Sequence, residues 1–147
     1  MRAIAHRGNL DGPCAEENKP DHVLAAIAEG FEVEVDAWFS HGHLALGHDG
    51  PQYGTSQQFL NAHRDSLFVH CKNREALSRL MWTGVRIFWH ENDAYTLSNY
   101  GDLFINPKAE LATAGILLMP ELSAHPQNEI VKCMGVCTDF PLKWRDL

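Results

Sequence analysis

Residues 32–40, EVEVDAWFS, begin with a strict alternation of acidic and apolar side chains. Because successive side chains of a strand point to opposite faces, Glu32, Glu34 and Asp36 share one face and the valines between them share the other. Carboxylates packed together on a buried face are costly unless something offsets their charge. The alternation therefore predicts a strand whose apolar face packs on a core. Its acidic face would meet either solvent at a sheet edge or a bound cation.

The remainder of the chain alternates short apolar runs with helix-like segments. Strands are predicted over residues 2–8, 32–39, 43–48, 66–72, 85–90, 116–121 and 135–141, with a hairpin over 96–107; helices are predicted over 19–30, 57–65, 74–84, 109–115 and 125–134, with caps at Asp21 and Asn73. Such alternation indicates an α/β protein with a mainly parallel sheet. An eight-stranded β/α barrel typically needs about 250 residues. We therefore predict one domain, residues 1–147, folded as a reduced TIM-like β/α barrel with several helices missing or shortened.

Titratable or cationic side chains end several of the predicted strands. His6-Arg7 ends the first strand, the Glu34-x-Asp36 pair lies in the second, and His48-Asp49 follows the third. The fourth strand ends in His70-x-Lys72. A single histidine at a strand end is more often structural than catalytic. A parallel barrel, however, brings the carboxyl ends of its strands to one face, and hard divalent cations prefer carboxylate oxygens. The pattern therefore favours a metal site at that face over a solvated sheet edge.

The order of these motifs resembles that of the glycerophosphodiester phosphodiesterases, within the phospholipase-C-like phosphodiesterases, as a short divergent branch. The matching segments are His6-Arg7-Gly8, Glu17-Asn18-Lys19, Glu34-Val35-Asp36, His48-Asp49, His70-Cys71-Lys72 and GVCTDFP at 135–141. Two of them depart from the family pattern: Lys19 stands in place of a threonine, and His70 stands in place of a carboxylate.

The resemblance implies a metal-dependent phosphodiester hydrolase on a β/α barrel. It places the catalytic histidine pair at His6 and His48, the phosphate-binding cations at Arg7 and Lys72, and the first two metal ligands at Glu34 and Asp36. His70 then becomes the third metal ligand. Imidazole still binds a metal ion but shifts the preference toward Mn²⁺ or Zn²⁺ and away from Ca²⁺. We expect one divalent ion, Mg²⁺ or Mn²⁺ before Ca²⁺ or Zn²⁺.

Other polar residues could support this centre from a second shell. They are Glu17, Asn18, Asp49, His90 and Glu91. His90 and Glu91 follow the predicted fifth strand and could equally form a polar loop turned by Asp93. Four aromatic residues, Trp38, Tyr53, Trp89 and Tyr95, could line a sugar site or simply pack.

Composition narrows the range of partners. The formal net charge of −7 argues against a basic surface for nucleic acid or anionic membranes. The start of the chain shows no signal-peptide pattern, and no apolar run reaches the roughly 20 residues that cross a bilayer. The four cysteines form no C-x-x-C pair, which favours reduced thiols in a cytoplasmic protein. The expected partner is a small phosphodiester, with a second subunit of the same chain covering strand faces that lack helices.

Two other functions fit the same residues. A non-catalytic protein that binds a phosphoryl ligand could keep this fold, and the His70 departure favours that alternative. A phosphodiesterase that acts on a sugar–phosphate linkage is the other. The retention of both His6 and His48 favours catalysis, because binding alone needs no acid–base pair.

Overall fold

The structure, a computed structural model, describes residues 1–147 and contains ten strands and five α-helices. The strands are β1 (Arg2–His6), β2 (Glu32–Ser40), β3 (His43–Leu46), β4 (Tyr53–Thr55), β5 (Leu67–Cys71), β6 (Ile87–Phe88), β7 (Tyr95–Leu97), β8 (Leu103–Ile105), β9 (Gly115–Leu118) and β10 (Gly135–Thr138). The helices are α1 (Pro20–Ala28), α2 (Gln57–Ala62), α3 (Arg74–Leu80), α4 (Gln127–Ile130) and α5 (Pro141–Trp144), and a 3₁₀ turn spans Pro120–Leu122.

All ten strands belong to one strongly curled sheet. The strands β6, β5, β2, β1, β10, β9 and β8 lie side by side in that order, and each neighbouring pair is parallel. The second half of β2 also pairs with β3, which pairs with β4, and β7 pairs with β8; these three pairings are antiparallel. The predicted α/β class is confirmed, and the sheet is mixed.

The sheet does not close into a barrel, because the strands at its two ends, β6 and β7, do not pair. Asn99 lies against the free edge of β6 instead. Its backbone N–H donates to the Ile87 carbonyl at 3.0 Å, and its side-chain oxygen accepts from the Ile87 N–H at 2.8 Å. The N–H and carbonyl of Ile87 at the free edge of β6 are therefore already satisfied. We call this gap between β6 and β7 the open seam.

Apolar side chains fill the concave face of the sheet in one layer. Ile4, Phe68, Phe88, Phe104, Ile116 and Cys137 each come from a different strand and are at most 2% exposed. Phe88 and Phe104 stack at 4.4 Å between ring centroids, so this layer bridges the open seam. Phe68 meets Phe104 edge-on at 5.5 Å.

A group of ion pairs lies below this layer, at the amino ends of the parallel strands. We call it the ionic floor; it consists of Arg2, Glu32, Arg86 and Asp102. Arg2 Nη2 lies 2.8 Å from Glu32 Oε1, and Arg86 Nη1 lies 3.3 Å from the same oxygen. The three acids that alternate along β2 are therefore separated: Glu32 lies in the floor, and Glu34 and Asp36 lie at the other end.

The convex face of the sheet packs on short helices. Val33, Val35 and Val69 on the strands belong to a cluster of 17 buried residues that also includes Val23 of α1 and Leu80 of α3. A second cluster of four buried residues covers β8, β9 and β10 against α4 and α5. The helices have nine, six, seven, four and four residues, which agrees with the prediction that helices are shortened. None of them has the length and hydropathy needed to cross a bilayer.

Some predicted local features agree with the structure and others differ from it. Asn73 caps α3 as predicted, since its side-chain oxygen accepts from the Ala76 N–H at 3.0 Å. Asp21 does not cap α1; Lys19 occupies the cap position without a side-chain hydrogen bond, and Pro20 opens the helix. The predicted helix over 109–115 is absent, and the one over 125–134 is reduced to four residues. Isolated segments this short are only marginally helical without a cap and an apolar stripe.

The interior layer should dominate stability. Replacing Phe104 by alanine removes a fully buried ring that contacts Phe68 and Phe88. We expect the free energy of unfolding in urea to fall by about 3–5 kcal/mol. Trp82→Ala is the control, because Trp82 is 92% exposed and its loss should change stability by about 0.5 kcal/mol or less. Equal effects of the two substitutions would contradict this packing.

Candidate functional site

A cavity of about 540 Å³ opens at the carboxyl ends of the parallel strands. Nine of the twelve site residues predicted from the sequence line it: His6, Arg7, Glu17, Glu34, Asp36, His48, His70, Lys72 and His90. Parallel pairing explains this convergence. His6 is in register with Glu34, and Asp36 is in register with His70, so adjacent strands present their polar ends at the same level.

Two buried carboxylates form the base of the cavity. Glu34 is 2% exposed and Asp36 is 1% exposed. Asp36 is held on several sides: the Asn18 amide donates to its Oδ2 at 3.0 Å, and the Asn18 side-chain oxygen accepts from its backbone N–H at 2.8 Å. Arg7 Nε lies 3.0 Å from Oδ2 of Asp36. Asn18 is thus buried behind the cavity wall and positions Asp36 from there.

Glu34 has far weaker partners than its neighbour. Its carboxylate accepts one long hydrogen bond, 3.4 Å from the Arg7 backbone N–H. The nearest ring nitrogens of His6 and His70 both lie 3.9 Å from it. A buried carboxylate with so little hydrogen bonding is expensive, and a cation would satisfy it.

The ionisation behaviour of the pair reflects these different surroundings. Burial, and then the charge of Asp36, raises the pKa of Glu34 above its usual value. Burial acts in the same direction on Asp36, but the surrounding His48, His70 and Arg7 side chains outweigh it and hold the pKa of Asp36 well below its usual range. Asp36 is therefore the more acidic carboxyl of the pair, and Glu34 is the first of the two to take up a proton as the pH falls.

Glu34, Asp36 and His70 could hold a metal ion. One ligand atom from each lies within 4.8 Å of the other two, and all three residues are buried. His70 Nδ1 lies 3.1 Å from Asp36 Oδ1. The charge of the cavity wall also fits a divalent ion, since it carries four carboxylates (Glu17, Glu34, Asp36 and Asp139) against two fixed cations (Arg7 and Lys72). Two oxygen ligands and one imidazole suit Mn²⁺, Mg²⁺ or Zn²⁺ better than Ca²⁺.

His6 is oriented by a residue that the sequence analysis did not assign to the site. Its Nδ1 lies 2.7 Å from Asp139 Oδ1, just after β10, and the Asn9 amide donates to the same oxygen at 2.8 Å. Burial lowers the pKa of His6, but the hydrogen bond to Asp139 and the charge of Glu34 raise it further, for a net increase. Asp139 lies in the T-D-F-P segment and follows a strand end like the other site residues. The criterion that identified the other site residues, a titratable side chain at a strand end, also identifies Asp139.

His48 reaches the cavity by a different route from the other residues. It follows β3, which runs antiparallel to the extension of β2 and so returns the chain to the cavity mouth. His48 Nδ1 lies 2.6 Å from Arg7 Nη2, a donor, and 3.3 Å from Asp36 Oδ2, an acceptor; in a neutral ring it accepts from Arg7 when the ring proton is on Nε2. The Arg7 side chain is also held by Glu17 at 2.9 Å. Arg7 has φ = 54° and Asn18 has φ = 65°, left-handed conformations that are uncommon for residues with a Cβ.

Of the remaining predicted site residues, His90 lines the cavity, and Asp49 and Glu91 lie outside it. The His90 ring stacks on His70 at 4.4 Å, and His70 stacks on Phe88 at 4.9 Å. Burial, and then the neighbouring His70, lowers the pKa of His90. Asp49 and Glu91 do not line the cavity; the Asp49 side chain is 99% exposed. None of the four aromatic residues considered for a sugar site lines the cavity either.

Comparisons of the chain with family models, with curated proteins and with solved structures give no match. The residues of the cavity are therefore the basis for inferring function.

Removing the Glu34 charge should weaken metal binding. Glu34→Gln keeps the shape of the side chain but loses a ligand charge, so we expect affinity for Mn²⁺ to fall by more than the roughly 10- to 100-fold typical for loss of an outer-shell partner. Titration calorimetry on wild type and variant measures it. Asp49→Asn is the control, since Asp49 is a nearby but exposed carboxylate, and its affinity should match wild type. Equal affinity of Glu34→Gln and wild type would contradict the site.

Metal binding should also depend on pH in a defined direction. The raised pKa of Glu34 means that its proton leaves at a higher pH than in the unfolded chain. An incoming ion competes with that proton, so Mn²⁺ affinity should increase as the pH rises above the ordinary titration range of a glutamate carboxyl, and binding should release protons. Calorimetry at each pH, in two buffers of different ionisation enthalpy, measures both effects. Affinity that is flat with pH, together with identical enthalpies in the two buffers, would contradict it.

Proposed function

We propose that this protein is a metal-dependent phosphodiester hydrolase that resembles the glycerophosphodiester phosphodiesterases and works on a reduced β/α barrel left open at its seam. One observation carries the proposal: a single cavity collects two histidines, two cations and a buried acid pair with a third metal-ligating side chain. Each group has a separate task in phosphodiester cleavage. A purely structural role would not require all of them on one wall.

The two cations are placed to bind the phosphoryl group. Arg7 is fixed in orientation by Glu17 and His48, which prepares its guanidinium for bidentate contact with phosphate oxygens. Lys72 Nζ contacts Asp36 Oδ1 at 3.6 Å, and its side chain is 18% exposed. Groups fixed in position before the reaction stabilise charge on the non-bridging oxygens without further reorganisation.

His6 is assigned the role of general base. Asp139 accepts the hydrogen bond from Nδ1, which leaves Nε2 facing the cavity. In the neutral ring that nitrogen carries a lone pair and can take a proton from an attacking hydroxyl or water. Asp139 then stabilises the imidazolium that forms, and Asn9 keeps the Asp139 carboxylate in place.

His48 is assigned the role of general acid. Its Nδ1 accepts from Arg7, so in the neutral ring the proton is on Nε2. That proton can pass to the leaving alkoxide. The different partners of the two histidines, a carboxylate for His6 and a guanidinium for His48, support this division of the roles.

A divalent ion held by Glu34, Asp36 and His70 would act as a Lewis acid on a phosphoryl oxygen. The chain itself holds these three side chains in place: Asn18 fixes Asp36, and stacking between Phe88 and His90 fixes the plane of His70.

A non-catalytic phosphoryl binder is the second candidate. It is favoured by the engagement of Arg7 with Glu17, Asp36 and His48, which leaves this cation fewer free donors for a reacting phosphate. The orientation of His6 by Asp139 favours the enzyme, because a binding site has no need of a fixed imidazole tautomer.

Loss of either histidine should remove most activity without unfolding the protein. We expect His6→Ala and His48→Ala each to lower kcat for bis-p-nitrophenyl phosphate by about 100-fold or more in the Mn²⁺-loaded protein. Because the two act as a pair, the double variant should be little slower than either single variant. Release of p-nitrophenol measures turnover, and urea unfolding checks that each variant is folded.

His43→Ala is the matched control, since His43 is exposed and does not line the cavity. It should leave turnover unchanged. A structural role for His6 or His48 predicts lower stability with normal turnover per folded molecule. A binder predicts no turnover in wild type with any metal, together with measurable affinity for phosphate that falls in Arg7→Ala and Lys72→Ala.

A further inference from the structure

One part of the cavity wall has a different chemical character from the rest. The charged and imidazole side chains come from β1, β2 and β5, together with the segments that follow β1, β3, β5, β6 and β10. The wall on the side of β8 and β9 consists of Asn106, Pro107, Leu118, Met119 and Leu122. Since β8 and β9 lie on the far side of β10 from β1 in the sheet order, the cavity has one polar and one apolar side.

The backbone and the contacts of Glu121 hold the apolar side of the cavity in place. Leu122 is 67% exposed, although it lies beside the cavity. Met119 has φ = 46°, a left-handed conformation without the freedom of a glycine, and such backbone strain tends to occur at ligand sites. Glu121 lies between them and ties the 3₁₀ turn to β10: its carboxylate accepts from Thr138 Oγ1 and from the Asp139 N–H, both at 3.0 Å.

This anchoring has a consequence for the ligand. Because Glu121 is held by the end of β10, Met119 and Leu122 stay at the cavity and cannot turn into the core. Asn106 is the one polar side chain of this wall, and its Oδ1 already accepts from the Lys108 N–H at 3.0 Å. A glycerol or sugar group would find few partners for its hydroxyls here, and unpaired hydroxyls are costly to bury.

We propose that the preferred ligand is a phosphodiester with one apolar arm, an alkyl or aryl ester group, that packs against Leu118, Met119 and Leu122. The proposal rests on the proposed function for the placement of the phosphoryl group at Arg7 and Lys72. Beyond the proposed function, it specifies that one ester group of the ligand is alkyl or aryl. The arm gains by leaving water, and it covers the exposed leucine at the same time.

Phosphate monoesters test the arm without requiring turnover. Calorimetry on the Mn²⁺-loaded protein would compare methyl, butyl, octyl and phenyl phosphate with glycerol 3-phosphate, each below any micelle-forming concentration. A fully buried methylene contributes about fourfold in affinity. We expect octyl phosphate to bind on the order of 10- to 100-fold more tightly than methyl phosphate, since the wall is partly open. Butyl against phenyl phosphate distinguishes an alkyl arm from an aryl arm.

Paired leucine substitutions locate the effect. Leu122→Ser should lower the ratio of the methyl to the octyl dissociation constant by about threefold or more. Leu97→Ser is the matched control, because Leu97 is 63% exposed and lies outside the cavity, and it should leave the ratio unchanged. Equal affinities for the methyl and octyl esters, tighter binding of glycerol 3-phosphate, or no binding of any ester would overturn the proposal. Failure of the proposed function looks different: no hydrolysis of bis-p-nitrophenyl phosphate by a protein that still shows the increase with chain length.

Discussion

Two carboxylates buried side by side on β2 set the requirement that the surrounding structure meets. Glu34 and Asp36 would repel each other, and both are removed from water. Neighbouring segments of the chain supply hydrogen bonds and charges that stabilise Asp36. Asn18 clamps Asp36, Arg7 approaches it from a left-handed turn, and His70 meets it from the next strand. Glu34 is left with one long hydrogen bond, and a bound cation would supply the partner that the neighbouring protein groups do not.

The proton-transfer roles proposed for His6 and His48 rest on the same crowded groups. Arg7 compensates Asp36 and also lies against Nδ1 of His48. Asp139 does the equivalent for His6 from the other side of the cavity. The acidic residues of the cavity therefore differ in role. Glu34 and Asp36 create a site for positive charge, and Asp139 orients His6 by accepting from its Nδ1. Neighbouring strands deliver all of these groups at one level because the pairing is parallel.

Much of the site could be predicted from the sequence, because strand alternation and parallel pairing are local rules with long-range consequences. His6, His70 and Lys72 lie at or next to a strand end, Glu34 and Asp36 lie where β2 pairs with β1 and β5, and all five meet in one cavity. Asp139 also follows a strand end, and its segment GVCTDFP carries the sequence signal for it. The open seam could not be predicted, since it depends on Asn99, which is remote from β6 in sequence, reaching the edge of that strand. The apolar wall could not be predicted from the sequence for a similar reason. It forms where Glu121 anchors a short turn to the residues after β10, and a contact of this kind leaves no periodic pattern in the sequence.

The ionic floor has a consequence for how β2 finds its alignment. A shift by two residues keeps every side chain on its own face, and in β2 it would place one acid where another had been, Glu32 for Glu34 and Glu34 for Asp36. The apolar pattern alone hardly distinguishes the two alignments. At the floor, however, Gly30 would replace Glu32, and both Arg2 and Arg86 would lose the carboxylate that they share. A pair of arginines far from the cavity thus disfavours this shift and helps to keep Glu34 and Asp36 at the cavity.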